Sequence, residues 1–164
     1  MKSCIIPGSF DPVTAGHTAL FETAAELFDH VYPVILVNAE KKGGFFTGEQ
    51  RLSIMNAAAD AMRARGITNI TPKLYSGLTT DAARELGARY IVKGVRNTAD
   101  FAYEYELSEI SRRFDQSLET VLLPSRAEFT CVSSTYVREL IRYGKFDSED
   151  FANGTRELIR EFTK

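Results

Sequence analysis

Short apolar runs alternate five times with segments of helical periodicity, and this alternation limits the fold more than any other feature of the chain. The clearest run, residues 31–37, is rich in β-branched side chains, which is typical of a strand covered on both faces. The pattern predicts strands at five places, which are residues 3–7, 31–37, 70–75, 90–92 and 120–123. Strands that alternate with helices indicate an α/β fold, here a Rossmann-like, doubly wound, five-stranded parallel sheet.

Helices are predicted between and after these strands. Residues 47–50, Thr-Gly-Glu-Gln, have the form of a capping box, and apolar side chains recur behind them until Gly66. Other helices are expected over residues 79–86, along the stripe from 103 to 114, behind a cap at 133 or 134, and over about 153–163. The last of these is interpreted as a packing or interface helix. With no repeat or long linker, we expect a single domain over residues 1–164.

Charge and composition exclude several classes of function. The chain carries 20 Lys and Arg against 22 Asp and Glu, and this near-balance argues against wholesale binding to nucleic acid or an anionic membrane. Its longest apolar run is far shorter than the ~20 residues that span a bilayer, and its start does not resemble a signal peptide. Cys4 and Cys131 form no CxxC motif. We therefore expect a soluble, cytoplasmic protein with neither nucleic acid nor membrane as partner.

The residues after the first strand are suited to binding a phosphate. Ligands of a doubly wound sheet bind outside the carboxyl ends of its strands. Residues 7–17, Pro-Gly-Ser-Phe-Asp-Pro-Val-Thr-Ala-Gly-His, join small and turn-forming side chains to a helix start, where free amides favour an anion. His17 would lie beside a phosphate held there. The alternative, a turn followed by a surface histidine, accounts less well for the string as a whole.

Cationic and hydroxyl side chains are predicted at other strand ends. Lys41 follows the second strand, Lys93 and Arg96 follow the fourth, and residues 133–135 begin a helix. Transfer between two phosphate-bearing substrates depends on positioning and charge neutralisation more than on a protein nucleophile. By themselves, however, the paired lysines 41–42 are more typical of a solvated loop, and the hydroxyls of residues 133–135 are typical first of all of a helix cap.

The motifs resemble those of a known family. The string from Gly8 to His17 is similar to the first signature of the nucleotidyltransferases with an (H/T)xGH motif, and most similar to that of the phosphopantetheine adenylyltransferases. Residues 41–42, the stretch 93–104 and residues 132–138, Val-Ser-Ser-Thr-Tyr-Val-Arg, match further motifs of that family in order. The matches extend from residue 4 to about 143.

The resemblance implies an enzyme that moves AMP from ATP to 4′-phosphopantetheine, giving dephospho-coenzyme A and pyrophosphate. It implies direct in-line attack without a covalent enzyme intermediate, and Mg²⁺ that arrives with ATP. It also implies a homohexamer built from two trimers and feedback inhibition by coenzyme A.

The resemblance also assigns roles to individual residues. It makes His17, Lys41 and Arg96 catalytic, with His17 stabilising charge on the α-phosphate in the transition state. It assigns the acceptor to Ser9, Lys41, Thr79 and Lys93. It assigns ATP to Ser9, Phe10, His17, Gly94, Val95, Arg96, Glu104, Phe129, Thr130, Cys131, Val132, Ser133, Ser134 and Thr135.

Three positions depart from the family pattern on the acceptor side. Lys93 stands where many members have Arg, Thr79 where a Met is frequent, and Ser111 where an Asn is common. Adenylyl transfer is therefore better supported than the identity of the acceptor.

The residues leave other interpretations open. An acceptor such as nicotinamide mononucleotide, or a glycerol-3-phosphate cytidylyltransferase, would use the same chemistry, and a nucleotide-binding domain without turnover would keep the same fold. Arg138 and the pair 112–113 are predicted to be helix-surface charges. The aromatic side chains of Phe101, Tyr103 and Tyr105 are predicted to be packing residues rather than stacking platforms for a ligand.

Overall fold

The computed structural model describes residues 1–37 and 44–164, which form five strands and six α-helices. The strands run parallel in the order β3-β2-β1-β4-β5, which confirms the predicted doubly wound sheet. A 3₁₀ helix, Ala127–Phe129, precedes α5. The elements in chain order are β1 (Ser3–Gly8), α1 (Ala15–Leu27), β2 (His30–Val37), α2 (Gly48–Arg63), β3 (Lys73–Ser76), α3 (Thr79–Glu85), β4 (Tyr90–Val95), α4 (Thr98–Phe114), β5 (Glu119–Pro124), α5 (Ser134–Arg142) and α6 (Arg156–Phe162).

Both faces of the central strands are buried, which explains why their sequences are continuously apolar. Successive side chains of β1 point to opposite faces of the sheet. Cys4 and Ile6 belong to the larger core cluster, together with Phe21 of α1 and Met55 of α2. Ile5 belongs to a second cluster, which α3 covers. Burial also raises the pKa of the Cys4 thiol to about 12.

The strand β3 is shorter than the sequence pattern predicts. It begins at Lys73, whereas Ile70 makes only an isolated bridge to Val31. Pro72 separates the two, because proline has no N–H to donate to a neighbouring strand. The strand also lies at the edge of the sheet, where a proline is tolerated.

The strand β4 and helix α4 differ from their predicted boundaries and environment. Residues 93–95 belong to β4 itself rather than to a loop after it, and α4 begins directly behind an Asn97 cap. The aromatic side chains of Phe101, Tyr103 and Tyr105 on α4 are 52%, 61% and 55% exposed. The prediction that these three are packing residues is therefore wrong for a single chain.

The C-terminal helix α6 packs on the core. Its Ile159 is fully buried, and the Phe162 ring lies 6.5 Å from that of Phe46. The helix begins at Arg156, three residues later than predicted. In the described parts of the chain, no helix has both the length and the apolar character needed to cross a membrane.

Candidate active site

Two adjoining cavities open at the carboxyl ends of β1 and β4. The first, of about 500 Å³, is lined mainly by apolar side chains, and the second, of about 420 Å³, by a more polar set. We call them the apolar and the polar cavity. Residues 7–9, Lys93 and Glu104 line both. Ligands in the two cavities would therefore meet beside Ser9, Lys93 and Glu104, which we call the seam.

The polar cavity brings together most of the residues that the resemblance assigned to ATP. Predicted residues that line it are Ser9, Phe10, His17, Gly94, Arg96, Glu104, Phe129, Val132, Ser133 and Ser134. Four other predicted residues do not line it, namely Val95, Thr130, Cys131 and Thr135. Asp100 and Tyr103 line this cavity without having been predicted, because on sequence they are ordinary positions of a helix.

The imidazole of His17 is held in one orientation by the start of its own helix. The Thr14 N–H donates to His17 Nδ1 over 3.0 Å, and the His17 N–H donates to Thr14 Oγ1 over 3.4 Å. The two residues thus form a capping box with histidine in the place of glutamate. Because Nδ1 accepts a hydrogen bond from a backbone amide, the proton of the neutral ring resides on Nε2. His17 is therefore set up as a neutral hydrogen-bond donor.

The surroundings of His17 keep it neutral. Burial, followed by the positive charge of Arg96, lowers the pKa of His17 from 6.5 to about 4. The Phe10 ring adds an edge-on contact, with centroids 5.0 Å apart. A neutral Nε2–H in this cavity can stabilise a phosphate oxygen as charge develops on it.

The turn between β1 and α1 is strained at Phe10. This residue has a φ of 44°, in the left-handed region that non-glycine residues rarely adopt. Its ring is buried against Phe21 and against the backbone of Gly8, where an added Cβ would lie only 2.9 Å from Phe10 Cζ. A glycine is therefore needed at position 8 for Phe10 to occupy this conformation.

Side chains from two helices bind the carbonyl groups of this turn. Arg51 Nη1 donates to the Ser9 carbonyl over 3.0 Å, Ser134 Oγ to the Pro12 carbonyl over 2.8 Å, and Arg138 Nη1 to the Asp11 carbonyl over 2.6 Å. The prediction of Arg138 as a surface charge is therefore wrong, since its guanidinium joins the two sequence motifs. Sequence alone gave no sign of these contacts, which depend on α2 and α5 approaching the same turn.

Arg96 lies at the rim of the polar cavity. Its Nε contacts Asp100 Oδ2 over 3.1 Å, and the same carboxylate oxygen accepts the Arg96 backbone N–H over 3.2 Å. Both side chains are partly exposed. Arg96 can therefore exchange this carboxylate for an incoming phosphate at little cost.

The seam contains a partly buried ion pair. Lys93 Nζ lies 3.1 Å from Glu104 Oε1, and the two side chains are 23% and 14% exposed. The other carboxylate oxygen of Glu104 is buried and has no hydrogen-bond partner among residues 1–37 and 44–164. A carboxylate oxygen in this position is unfavourable unless a ligand donates to it.

The second motif begins helix α5 beside the polar cavity. Ser133 is its cap and accepts the Tyr136 N–H over 3.2 Å. The hydroxyls of Ser134 and Thr135 are engaged within the protein, the first by the Pro12 carbonyl and the second by Arg138. Backbone amides of the first turn are thus better placed than these two hydroxyls to receive phosphate.

The apolar cavity lies between α3, α4 and the sheet. Thr79, which the resemblance assigns to the acceptor, lines it, and so does Ser111. Its apolar walls were not predicted as site residues: Leu78 lies between a predicted strand and a predicted helix, and the others were predicted only as ordinary strand or helix residues, namely Leu36, Ile91, Leu107, Ile110 and Phe114. The available signal was the apolar stripe of α4, which a sequence pattern cannot distinguish from a core-facing stripe.

Two further predictions concern Lys41 and a metal. Lys41 lies outside the described residues. Within residues 1–37 and 44–164, no cluster of three or more His, Cys, Asp or Glu side chains could hold a metal ion. The carboxylates that line the polar cavity, Asp100 and Glu104, are each paired with a cation.

The sequence is similar to a large family of nucleotidyltransferases. Residues 5–140 match the family model described as Cytidylyltransferase-like. A phosphopantetheine adenylyltransferase of Symbiobacterium thermophilum is 41% identical over 145 residues, which cover 88% of this chain and 86% of that protein. One of Lachnoclostridium phytofermentans is 32% identical over 159 residues, which cover 97% and 94% of the two chains.

Solved structures share the fold at lower sequence identity. A putative nicotinate-nucleotide adenylyltransferase from Vibrio parahaemolyticus has a TM-score of 0.71 and 18% identity, with 99% of this chain and 94% of that chain covered. A bifunctional NMN adenylyltransferase/ADP ribose pyrophosphatase from Francisella tularensis has a TM-score of 0.73 and 15% identity, covering 98% and 49%. At these identities the likeness concerns the fold alone.

Proposed function

Since this chain belongs to the phosphopantetheine adenylyltransferase family of nucleotidyltransferases, we propose that its cleft transfers AMP from ATP to 4′-phosphopantetheine. The products are dephospho-coenzyme A and pyrophosphate. The observation that carries the proposal is the pair of cavities that meet at the seam. One is polar and contains a neutral histidine, and the other is apolar and suited to a long, weakly polar arm.

Each cavity has a role in this reaction. ATP occupies the polar cavity, and the pantetheine arm occupies the apolar cavity between α3 and α4. The acceptor phosphate then lies at the seam, next to Ser9 and Lys93, where it faces the α-phosphate of ATP. Lys41, which the family resemblance assigns to the acceptor, completes this site in the proposal. Nicotinamide mononucleotide and glycerol 3-phosphate are polar throughout and would fill the apolar cavity poorly.

The chemistry is a direct in-line displacement. The acceptor phosphate oxygen attacks the α-phosphorus, the bond to the β-phosphate oxygen breaks, and pyrophosphate leaves with the electron pair. His17 donates its Nε2–H to an α-phosphate oxygen, where charge grows in the transition state. Arg96 moves from Asp100 to the outgoing phosphates. Catalysis thus rests on positioning and charge, as is usual for phosphoryl transfer.

Mg²⁺ enters this proposal with ATP. The two carboxylates of the polar cavity are paired with Arg96 and Lys93, so the cavity suits a metal held mainly by phosphate oxygens and water. When bound, the ion neutralises phosphate charge. We further propose that the enzyme works in the cytoplasm as a homo-oligomer, with the hexamer of the family as the expected form. Coenzyme A, which contains the product, is proposed to inhibit it by occupying the same two cavities.

The test is pyrophosphate release from ATP and Mg²⁺ with 4′-phosphopantetheine. Nicotinamide mononucleotide with ATP, and glycerol 3-phosphate with CTP, are run in parallel. We expect turnover with 4′-phosphopantetheine alone, abolished by His17→Ala and retained by His30→Ala, which removes the chain's other histidine at the opposite end of the sheet. Turnover with another acceptor instead would identify that compound as the substrate. Inactivity with all three would favour a nucleotide-binding protein.

A further inference from the structure

The turn that follows β1 receives a guanidinium from outside both cavities. Arg51, on the first turns of α2, donates to the Ser9 carbonyl over 3.0 Å through Nη1. Its Nε lies 3.4 Å from the Thr47 carbonyl, which fixes the side chain against its own helix. Arg51 lines neither the polar nor the apolar cavity. It therefore contacts the turn and is not placed to touch a ligand in either of these two cavities.

The position of this carbonyl determines where the next amide points. The sole cis peptide bond in residues 1–37 and 44–164 joins Asp11 and Pro12, so the Ser9–Phe10 bond is trans. In a trans peptide the carbonyl and the N–H point in opposite directions. With the Ser9 carbonyl directed to Arg51, the Phe10 N–H is directed away from α2. Phe10 lines the polar cavity, and its N–H has no hydrogen-bond partner within the described residues.

The strain at Phe10 makes this contact important. A residue with a φ of 44° keeps that conformation only while its surroundings impose it. The buried Phe10 ring holds one side of the residue, and the bond from Arg51 holds the preceding peptide. Without that bond, the peptide is free to rotate and to present the Ser9 carbonyl, an acceptor, to an anionic ligand.

We propose that Arg51 is a positioning residue for nucleotide binding, because it holds the Ser9–Phe10 peptide with its N–H toward the polar cavity. This inference rests on the proposed function only for the identity of the nucleotide. Ser9 lines both cavities but Phe10 lines only the polar one, so Arg51 is expected to affect ATP more than the acceptor. A merely structural residue would alter both, or would act through stability.

The experiment measures ATP binding by calorimetry with Mg²⁺ present and no acceptor. We expect Arg51→Ala to raise the Kd for ATP about tenfold, which corresponds to the loss of one good hydrogen bond. Arg51→Lys, which keeps one donor, is expected to recover most of that loss. Arg63→Ala is the matched control, because Arg63 lies on the same helix, half-exposed and paired with Asp60. Should Arg51→Ala fail to fold, Arg51→Met keeps the apolar stem of the side chain and is expected to raise the Kd for ATP by the same factor.

A second readout separates positioning from stability. In Arg51→Ala, the KM for 4′-phosphopantetheine is expected to change by a clearly smaller factor than the Kd for ATP, with the melting temperature followed in every variant. An unchanged Kd for ATP, or equal losses for ATP and acceptor, would overturn the proposal. If the wild type binds ATP without using 4′-phosphopantetheine, the proposed function fails while the Kd comparison still tests Arg51. A wild type that does not bind ATP overturns both.

Discussion

At the scale of single residues, the tautomer of His17 is set by a backbone amide rather than by a carboxylate. The Thr14 N–H donates a hydrogen bond to Nδ1, so the ring needs no acidic partner to present its Nε2–H to the cleft. A carboxylate in that place would raise the pKa of the imidazole and bring negative charge to a site for phosphates. The capping box provides the orientation without that charge.

This arrangement predicts an unusually acidic histidine. Burial and the Arg96 charge lower the pKa of His17 to about 4, so the ring stays neutral throughout the neutral pH range. Because the unfolded chain binds this proton near pH 6.5, the contribution of His17 to stability is complete above that pH and is lost as the pH falls toward 4. The direct measurement is a proton NMR titration of His30→Ala, which leaves a single imidazole.

We expect the midpoint of that titration near 4, and a higher midpoint after Arg96→Gln, which removes the positive neighbour. Arg63→Gln, on an exposed part of α2, is the control for loss of a distant charge. A midpoint above 6 in the folded protein would contradict both the burial of the ring and its role as a neutral donor.

Lys93 leads to a prediction about the two substrates. Its ammonium lies at the seam, and we expect Lys93→Ala to raise the KM for 4′-phosphopantetheine by about tenfold or more, and that for ATP by less. Removing Lys93 also leaves the Glu104 carboxylate unpaired beside the acceptor phosphate. The double variant with Glu104→Gln is therefore expected to regain part of the loss.

Steady-state kinetics with each substrate varied in turn measures this difference. Lys73→Ala, on the exposed edge strand β3, is the control for loss of a lysine. Lys93→Arg keeps the charge and is expected to remain active. Equal increases in the two KM values would count against the acceptor role of Lys93.

At the scale of elements, Asp11 fastens the turn after β1 to the chain that leads into α2. Its carboxylate accepts the Phe45 N–H over 2.6 Å and the Phe46 N–H over 2.8 Å, and it is 8% exposed. Asp11→Asn places an NH₂ group against one of these amides. We expect a loss of about 1–3 kcal/mol in the free energy of unfolding, the usual effect of a buried donor left without an acceptor.

Urea unfolding of Asp11→Asn measures that loss, with Asp60→Asn as the control on the exposed face of α2. An unchanged urea midpoint in Asp11→Asn would show that the two amides find other acceptors. The sequence predicted a turn at Asp11-Pro12. It did not predict that the Asp11 carboxylate binds the amides of Phe45 and Phe46, which lie 34 and 35 positions further along the chain.

The elements also show which parts of the site a sequence can reveal. The central strands β1 and β2 were predictable because they are largely buried and read as continuous apolar runs, whereas the edge strand β3 is more exposed and was predicted too long. That His17 and residues 132–134 line one cavity could be anticipated because they lie in two short, contiguous motifs. The seam could not be predicted, because the Lys93–Glu104 ion pair forms only when α4 folds back over β4. The contacts of Arg51 and Arg138 likewise depend on tertiary packing.

At the scale of the whole molecule, α4 is a helix with aromatic side chains that a single chain leaves exposed. One part of it lines the two cavities, through Tyr103, Glu104 and Leu107. Another part carries the Phe101 and Tyr105 rings, which stack at 6.4 Å, line neither cavity and are more than half exposed. Exposed, contiguous aromatic surface is typical of a protein interface. The proposed oligomer would cover these rings and so connect assembly to the shape of the active site.

The oligomer provides the last prediction. Sedimentation of the wild type is expected to give six times the 18.3 kDa chain mass. The double variant Phe101→Glu with Tyr105→Glu is expected to give smaller species, because the interface would bury two carboxylates without partners. Leu27→Glu, at a similarly exposed position on α1, is the control. Since the same helix lines both cavities, dissociation is expected to lower kcat/KM for 4′-phosphopantetheine as well. A monomeric wild type, or an oligomer untouched by the double change, would place the interface elsewhere and separate assembly from the active site.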